Sequence, residues 1–80
     1  MSFDKDKVDA CTLALLYLVM HNEDTDGVRA WKGFDWETMN RLHDKGYIDN
    51  PVGKSKSVYI FPEGVKKAKE LFHHYFVDQN

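Results

Sequence analysis

The chain has 80 residues, of which 42% are hydrophobic and 30% are charged, and its formal net charge is −2. This composition is typical of one soluble globular domain and excludes a disordered tail, a collagen-like repeat and a membrane protein. The single cysteine excludes an internal disulfide framework. We therefore predict one domain over residues 1–80, with one small core.

Neither export nor membrane insertion is indicated by the sequence. Residues 1–7 lack the basic and then apolar pattern of a secretory signal. The most apolar run, residues 10–20, is far shorter than the roughly 20 residues that cross a bilayer. The chain is therefore expected to be cytoplasmic and to have no membrane partner.

The first predicted element is a helix over residues 4–21. Acidic side chains near its start interact favourably with the helix dipole. From residue 10 onward apolar side chains cover nearly every face, so the helix needs cover on nearly all sides. An 80-residue domain has little other material for this, and a second copy of the chain is the expected cover.

The middle of the chain is predicted to hold a strand and a helix. A polar, turn-rich stretch at 22–27 leads into a short strand over residues 28–32. Asp35 is a good N-cap for a helix over residues 36–45. Gly46 is placed to end this helix in the left-handed conformation.

A hairpin and a helix complete the predicted fold. Residues 47–49 and 57–61 are expected to pair as a hairpin with its tip near residues 53–55, because turn residues separate them. Pro62 suits the first turn of a final helix over residues 62–76. The order helix, short strand, helix, β-hairpin, helix belongs to the α+β class.

Two segments carry a resemblance to a known fold. Leu42-His43-Asp44-Lys45-Gly46-Tyr47-Ile48, followed by the hairpin and by Phe61-Pro62-Glu63-Gly64, resembles the second half of winged-helix domains. MarR-like and PadR-like bacterial regulators show this pattern. The resemblance covers roughly residues 34–76 and implies a small winged-helix-like domain with a basic wing, in which the first and last helices form the interface between subunits.

The whole chain also looks like a small bacterial family described as a domain of unknown function. The segments that carry this second resemblance are Ala30-Trp31-Lys32-Gly33-Phe34-Asp35-Trp36 and Lys54-Ser55-Lys56-Ser57-Val58. Such a likeness implies a shared fold and no particular activity.

Nucleic-acid binding is one function that the winged-helix resemblance implies. Lysine and serine at the wing tip are suitable donors to phosphate, and asparagine and arginine on the preceding helix are residue types that read base edges. That helix with its cap has a net charge of −1, however, which favours a solvated face with local ion pairs such as Glu37 with Arg41. The candidate contacts are Asn40, Arg41, Lys45, Lys54, Ser55 and Lys56.

Self-association is the function that the apolar pattern favours, with a homodimer or a small protein partner as the expected assembly. Trp31, beside Arg29 and Lys32, is a candidate exposed anchor for a partner, since tryptophan and arginine are enriched at binding hot spots. Its alternative is an ordinary core position. The candidate interface residues are Leu13, Leu16, Tyr17, Met20, Leu71, Phe72, Tyr75 and Phe76.

Catalysis, metals and cofactors are not expected. The acidic stretch 22–27 matches the opening of an EF-hand loop, but Gly33 stands where the bidentate glutamate is needed. His73 and His74 are adjacent, so a helix points them about 100° apart. Cys11 is most simply a small buried hydrophobe. We therefore predict a non-enzymatic interaction module, with weak DNA binding through the basic wing as the alternative.

Overall fold

The first helix ends earlier than its apolar pattern predicts. The structure, a computed structural model, describes residues 2–22 and 27–77. Helix α1 spans Lys5–Leu16, and a short 3-10 helix over Tyr17–Val19 follows it. Asp4 caps α1 by accepting a hydrogen bond from the Lys7 backbone N–H at 3.1 Å. The prediction of helix as far as residue 21 is therefore wrong beyond Leu16.

The chain forms a strand where the helix was expected to continue. Strand β1, Met20–Asn22, pairs antiparallel with strand β2, Val28–Trp31, in a register that places Met20 opposite Ala30. When nearly every residue of a run is apolar, the sequence shows neither the 3.6-residue period of a helix nor the two-residue period of a strand. Here the pairing with β2 decides, because it satisfies the backbone groups of Met20–Asn22. The predicted strand over residues 28–32 is confirmed as β2.

Strand β2 is the central strand of a three-stranded antiparallel sheet with the order β1-β2-β3. Strand β3 spans Ser57–Ile60, and Val28 of β2 lies opposite Ile60. Residues 47–49 were predicted to form a full hairpin strand with β3. They contribute one isolated bridge between Ile48 and Ile60 instead. After Asp49 the chain turns away from β3, since the Asn50 side chain accepts a hydrogen bond from the Val52 N–H at 2.9 Å and Pro51 has no N–H to pair.

Helix α2 spans Trp36–Asp44 and begins and ends at the predicted signals. The Asp35 side chain accepts hydrogen bonds from the Thr38 backbone N–H at 3.1 Å and from the Thr38 hydroxyl at 2.8 Å. Gly46 follows the helix with a φ of 84°. The N–H of Tyr47 then donates to the Leu42 carbonyl, which completes a Schellman cap.

Helix α3 spans Pro62–Phe76, as predicted, and packs against α1. One face of the sheet and the inner faces of the helices form the core. The fully buried apolar residues of this core are Leu13, Leu16, Ala30, Met39, Leu42, Ile48, Val58, Ile60 and Ala68. The predicted α+β class is confirmed, with the order helix, strand hairpin, helix, strand, helix.

Candidate functional site

Two of the predicted interface residues lie inside the chain's own core. Leu13 is 1% exposed and Leu16 is completely buried. They belong to the face of α1 that packs inward together with Asp9. These two leucines therefore stabilise the domain itself, and their burial leaves no surface for a partner to contact.

Four other predicted interface residues form a continuous aromatic cluster, which we define as Tyr17, Phe72, Phe76 and Tyr75. The ring centroids are 5.3 Å apart between Tyr17 and Phe72, and 5.4 Å apart between Phe72 and Phe76. Tyr75 and Phe76 follow at 6.0 Å. Tyr17 and Phe72 are half-buried, whereas Phe76 is 50% exposed. The cluster thus extends from the contact between the 3-10 helix and α3 to the surface.

Exposed aliphatic side chains lie next to this cluster in the chain. Leu18 is 65% exposed and follows Tyr17 directly, and Leu15 is also exposed on α1. The remaining predicted interface residues, Met20 and Leu71, are half-buried and pack against the core. Neither exposed leucine is among the predicted interface residues, because an apolar run gives no signal for which of its sides faces outward.

A buried carboxylate sets the orientation of α1. Arg41 Nε donates to both carboxylate oxygens of Asp9, at 2.8 and 3.0 Å, and Lys45 Nζ donates to Asp9 at 2.8 Å. Lys45 also donates to Asp6 at 2.9 Å. This hydrogen bond from Lys45 lowers the pKa of the Asp6 carboxyl, and the bonds to Asp9 and Asp6 raise the pKa of Lys45.

This ion-pair network changes the interpretation of the predicted recognition helix. Arg41 pairs with Asp9 of α1, whereas the sequence predicted a local pair with Glu37. Lys45 is held by the same carboxylate, and Asn40 is half-buried. Arg41 and Lys45, two of the proposed nucleic-acid contacts, therefore anchor α2 to α1.

The remaining predicted nucleic-acid contacts lie in one exposed loop. We call residues 53–56 the basic loop, and Lys54, Ser55 and Lys56 in it are all exposed. Lys32 organises its start by donating from Nζ to the Pro51 carbonyl at 2.7 Å and to the Gly53 carbonyl at 3.1 Å. The loop therefore holds a defined shape with its two lysines outward.

Arg29 of β2 binds the first residue of β3, directly after the basic loop. Its Nε donates to the Ser57 hydroxyl at 2.8 Å and its Nη2 donates to the Ser57 carbonyl at 3.0 Å. Trp31, on the same strand, is 50% exposed, so it does not occupy the alternative core position, and its role as an anchor for a partner stays a prediction. The loop and this tryptophan are brought together because Trp31 lies opposite Ser57 in the sheet.

The described ranges 2–22 and 27–77 hold neither a cluster of metal ligands nor a membrane-spanning helix. No three His, Cys, Asp or Glu side chains there converge as metal ligands. No helix in this part of the chain has both the length and the apolar character to cross a bilayer. The acidic stretch compared with an EF-hand falls largely on residues 23–26, which are outside the described ranges.

Comparison with known proteins assigns the family. Residues 4–78 match the model of a domain of unknown function, DUF6429. The chain belongs to the DUF6429 family. This DUF6429 chain is also 50% identical over 76 residues to "Uncharacterized protein y4hR" of Sinorhizobium fredii (strain NBRC 101917 / NGR234), a match that covers 95% of this chain and 97% of that protein. No solved structure matches this DUF6429 chain.

Proposed function

We propose that this DUF6429 chain is a non-enzymatic, cytoplasmic interaction module of winged-helix-like build that forms a homodimer. The observation that carries the proposal is the aromatic cluster, whose rings run from half-buried Tyr17 to half-exposed Phe76. Exposed aromatic side chains of this kind, adjoining an apolar core, are typical of residues that anchor protein interfaces.

The surroundings of the cluster support a second copy as the partner. Leu15 is exposed near the end of α1, Leu18 and Val19 are exposed in the 3-10 helix that follows it, and Phe76 and Val77 are exposed where α3 ends. Because α3 packs against the 3-10 helix as well as α1, a two-fold contact centred on these two elements can bury exposed apolar side chains from both copies. Burying them is favourable by roughly 25 cal/mol of free energy for each Å² of apolar surface removed from water.

Light scattering coupled to size exclusion tests the proposal. The chain is expected to have the mass of a dimer at roughly 100 µM, and Phe76→Lys and Leu18→Lys are each expected to weaken the dimer by about tenfold or more. Val52→Lys is the matched control, since Val52 is 59% exposed in the loop before β3. A wild-type chain that stays monomeric at this concentration would contradict the proposal.

DNA binding is the second candidate function, and the exposed basic loop favours it. Lys54 and Lys56 can meet phosphates, whereas Arg41 and Lys45 are engaged by Asp9. Fluorescence anisotropy with duplex DNA at about 50 and 200 mM salt tests this candidate, because phosphate contacts impose a steep salt dependence. Absence of binding at the lower salt concentration would exclude it.

A further inference from the structure

The sheet has an outer face with a composition unlike that of its core face. Ala30 and Val58 point into the core, so the residues that alternate with them point outward. In the register of β2 and β3, Arg29 lies opposite Tyr59 and Trp31 lies opposite Ser57. We call these four outward residues the sheet platform.

The two aromatic rings of the sheet platform each lie against a glycine. A Cβ at Gly33 would overlap the indole of Trp31, and a Cβ at Gly27 would overlap the ring of Tyr59. Both rings can therefore approach the backbone closely, which restricts their positions before any ligand binds. Such preorganisation lowers the entropic cost of binding.

Cationic side chains lie at both ends of the platform. Lys54 and Lys56 precede β3 in the basic loop. Beyond the other end of β3, Tyr59 shares an open groove of about 490 Å³ with Lys66 and Lys69 of α3. A ligand that lies along β3 would thus pass from one pair of lysines, over two aromatic rings and Arg29, to a second pair.

We infer that the sheet platform binds single-stranded nucleic acid, with bases stacked on Trp31 and Tyr59 and phosphates beside the flanking lysines. Diagonal neighbours on paired strands are about 7–8 Å apart, so the two rings can serve successive unpaired bases. Aromatic side chains on a sheet, bordered by cations, are a general means of binding single strands without reading their sequence. An acidic peptide would use the charges and leave the two flat rings without matching partners.

Fluorescence anisotropy of labelled oligothymidylate and oligouridylate, each of roughly 15 nucleotides, tests this inference at about 50 and 200 mM salt. Trp31→Ala is expected to weaken binding by about tenfold or more. Trp36→Ala is the matched control, because Trp36 is 58% exposed at the start of α2 and is absent from the platform. The comparison of the two oligonucleotides shows whether DNA or RNA is preferred, and binding of either supports the inference.

A second pair of variants separates stacking from general charge attraction. Reversing both Lys54 and Lys56 to glutamate is expected to reduce the salt slope of binding by about one unit. The same reversal at exposed Lys5 and Lys7 should leave that slope unchanged. Circular dichroism confirms that each variant is folded.

Three results would overturn the inference. They are absence of binding to both single strands at the lower salt concentration, equal or tighter binding of a duplex of the same length, and equal losses from Trp31→Ala and Trp36→Ala. The Trp36→Phe variant adds a direct readout, since Trp31 is then the only tryptophan. Stacking of a base on it should quench its fluorescence, and an unchanged emission at saturating oligonucleotide would count against the platform.

Discussion

Arg41 Nε on α2 donates to both carboxylate oxygens of Asp9 on α1, at 2.8 and 3.0 Å. Asp9 is only 1% exposed, and a buried carboxylate is tolerated when cations and hydrogen bonds satisfy it. Thr38 extends the contact, because its hydroxyl accepts from Arg41 Nη2 at 3.1 Å. The network fixes how α1 rotates against α2 and therefore which apolar residues of α1 face outward.

Removing Arg41 should be costly for this reason. We expect Arg41→Met to lower the free energy of unfolding by about 3 kcal/mol, since it leaves a buried carboxylate with Lys45 as its remaining charged partner. Lys54→Met removes a cation from the exposed loop and should change stability by less than about 0.5 kcal/mol. Urea unfolding followed by circular dichroism measures both. Equal effects of the two substitutions would show that the network does not stabilise the fold.

Acid should destabilise the chain through two carboxyl groups. The hydrogen bond from Lys45 lowers the pKa of Asp6, and hydrogen bonds from Thr38 lower the pKa of Asp35, each from an ordinary value of 3.8. A lowered folded-state pKa gives stability that is present above pH 3.8 and is lost as the pH falls through the folded-state value. The urea concentration at which half of the chain is unfolded should therefore decrease as the pH is lowered below about 4. This decrease should be less steep in Asp6→Asn and in Asp35→Asn.

High pH should destabilise the chain through the deprotonation of Lys45. Its hydrogen bonds to Asp9 and Asp6 raise its pKa above the ordinary 10.5. The stabilising charge is fully present below that value and is lost as the pH rises through the raised pKa. The measurement is the difference between wild type and Lys45→Met, which isolates the contribution of Lys45 from every other effect of alkali. That difference in urea midpoint should be constant at neutral pH and shrink above about pH 10.5.

The sequence was sufficient to predict features that depend on local signals. Asp35, Gly46 and Pro62 mark helix ends through their own backbone and side-chain chemistry, and the structure places helix ends at all three. The outward face of α1 depends instead on a contact across 32 residues, between Asp9 and Arg41. An aspartate in the first turns of a helix is usually solvated, so no local signal indicated that it faces inward.

The strand at Met20–Asn22 was missed for a related reason. Its conformation depends on pairing with β2, and its first residue, Met20, is the last residue of the apolar run that predicted the helix. The hairpin strand at 47–49 was over-predicted because the turn at Asn50 and Pro51 ends the pairing with β3 after the single bridge from Ile48 to Ile60. The lysines of the basic loop can be recognised in the sequence. That Tyr59 lies beside Trp31 on one face of the sheet follows only from the register of β2 and β3.

Gly46 offers a test of the cap that the sequence did predict. Its φ of 84° lies in the left-handed region, and open space surrounds the position that a Cβ would take. Gly46→Ala should therefore cost about 1 kcal/mol from backbone strain alone. Gly46→Asn should cost less, because asparagine adopts this conformation more readily. Thermal unfolding of both variants makes the comparison, and an alanine variant as stable as wild type would exclude the strained cap.

Replacing Gly64 by alanine should destabilise the chain, although the same change at most helix positions is stabilising. Replacing a helix glycine by alanine ordinarily stabilises by about 1 kcal/mol. At Gly64, however, a Cβ would overlap the Tyr47 carbonyl oxygen, which already accepts the Phe61 N–H, and would lie 3.0 Å from the Ile60 side chain. We expect Gly64→Ala to destabilise by about 1–3 kcal/mol, with a fall of roughly 4–8 °C in Tm for each kcal/mol. Lys69→Ala, an exposed change in the same helix, should be nearly neutral. A Gly64→Ala variant with a raised Tm would show that α3 does not approach Tyr47 this closely.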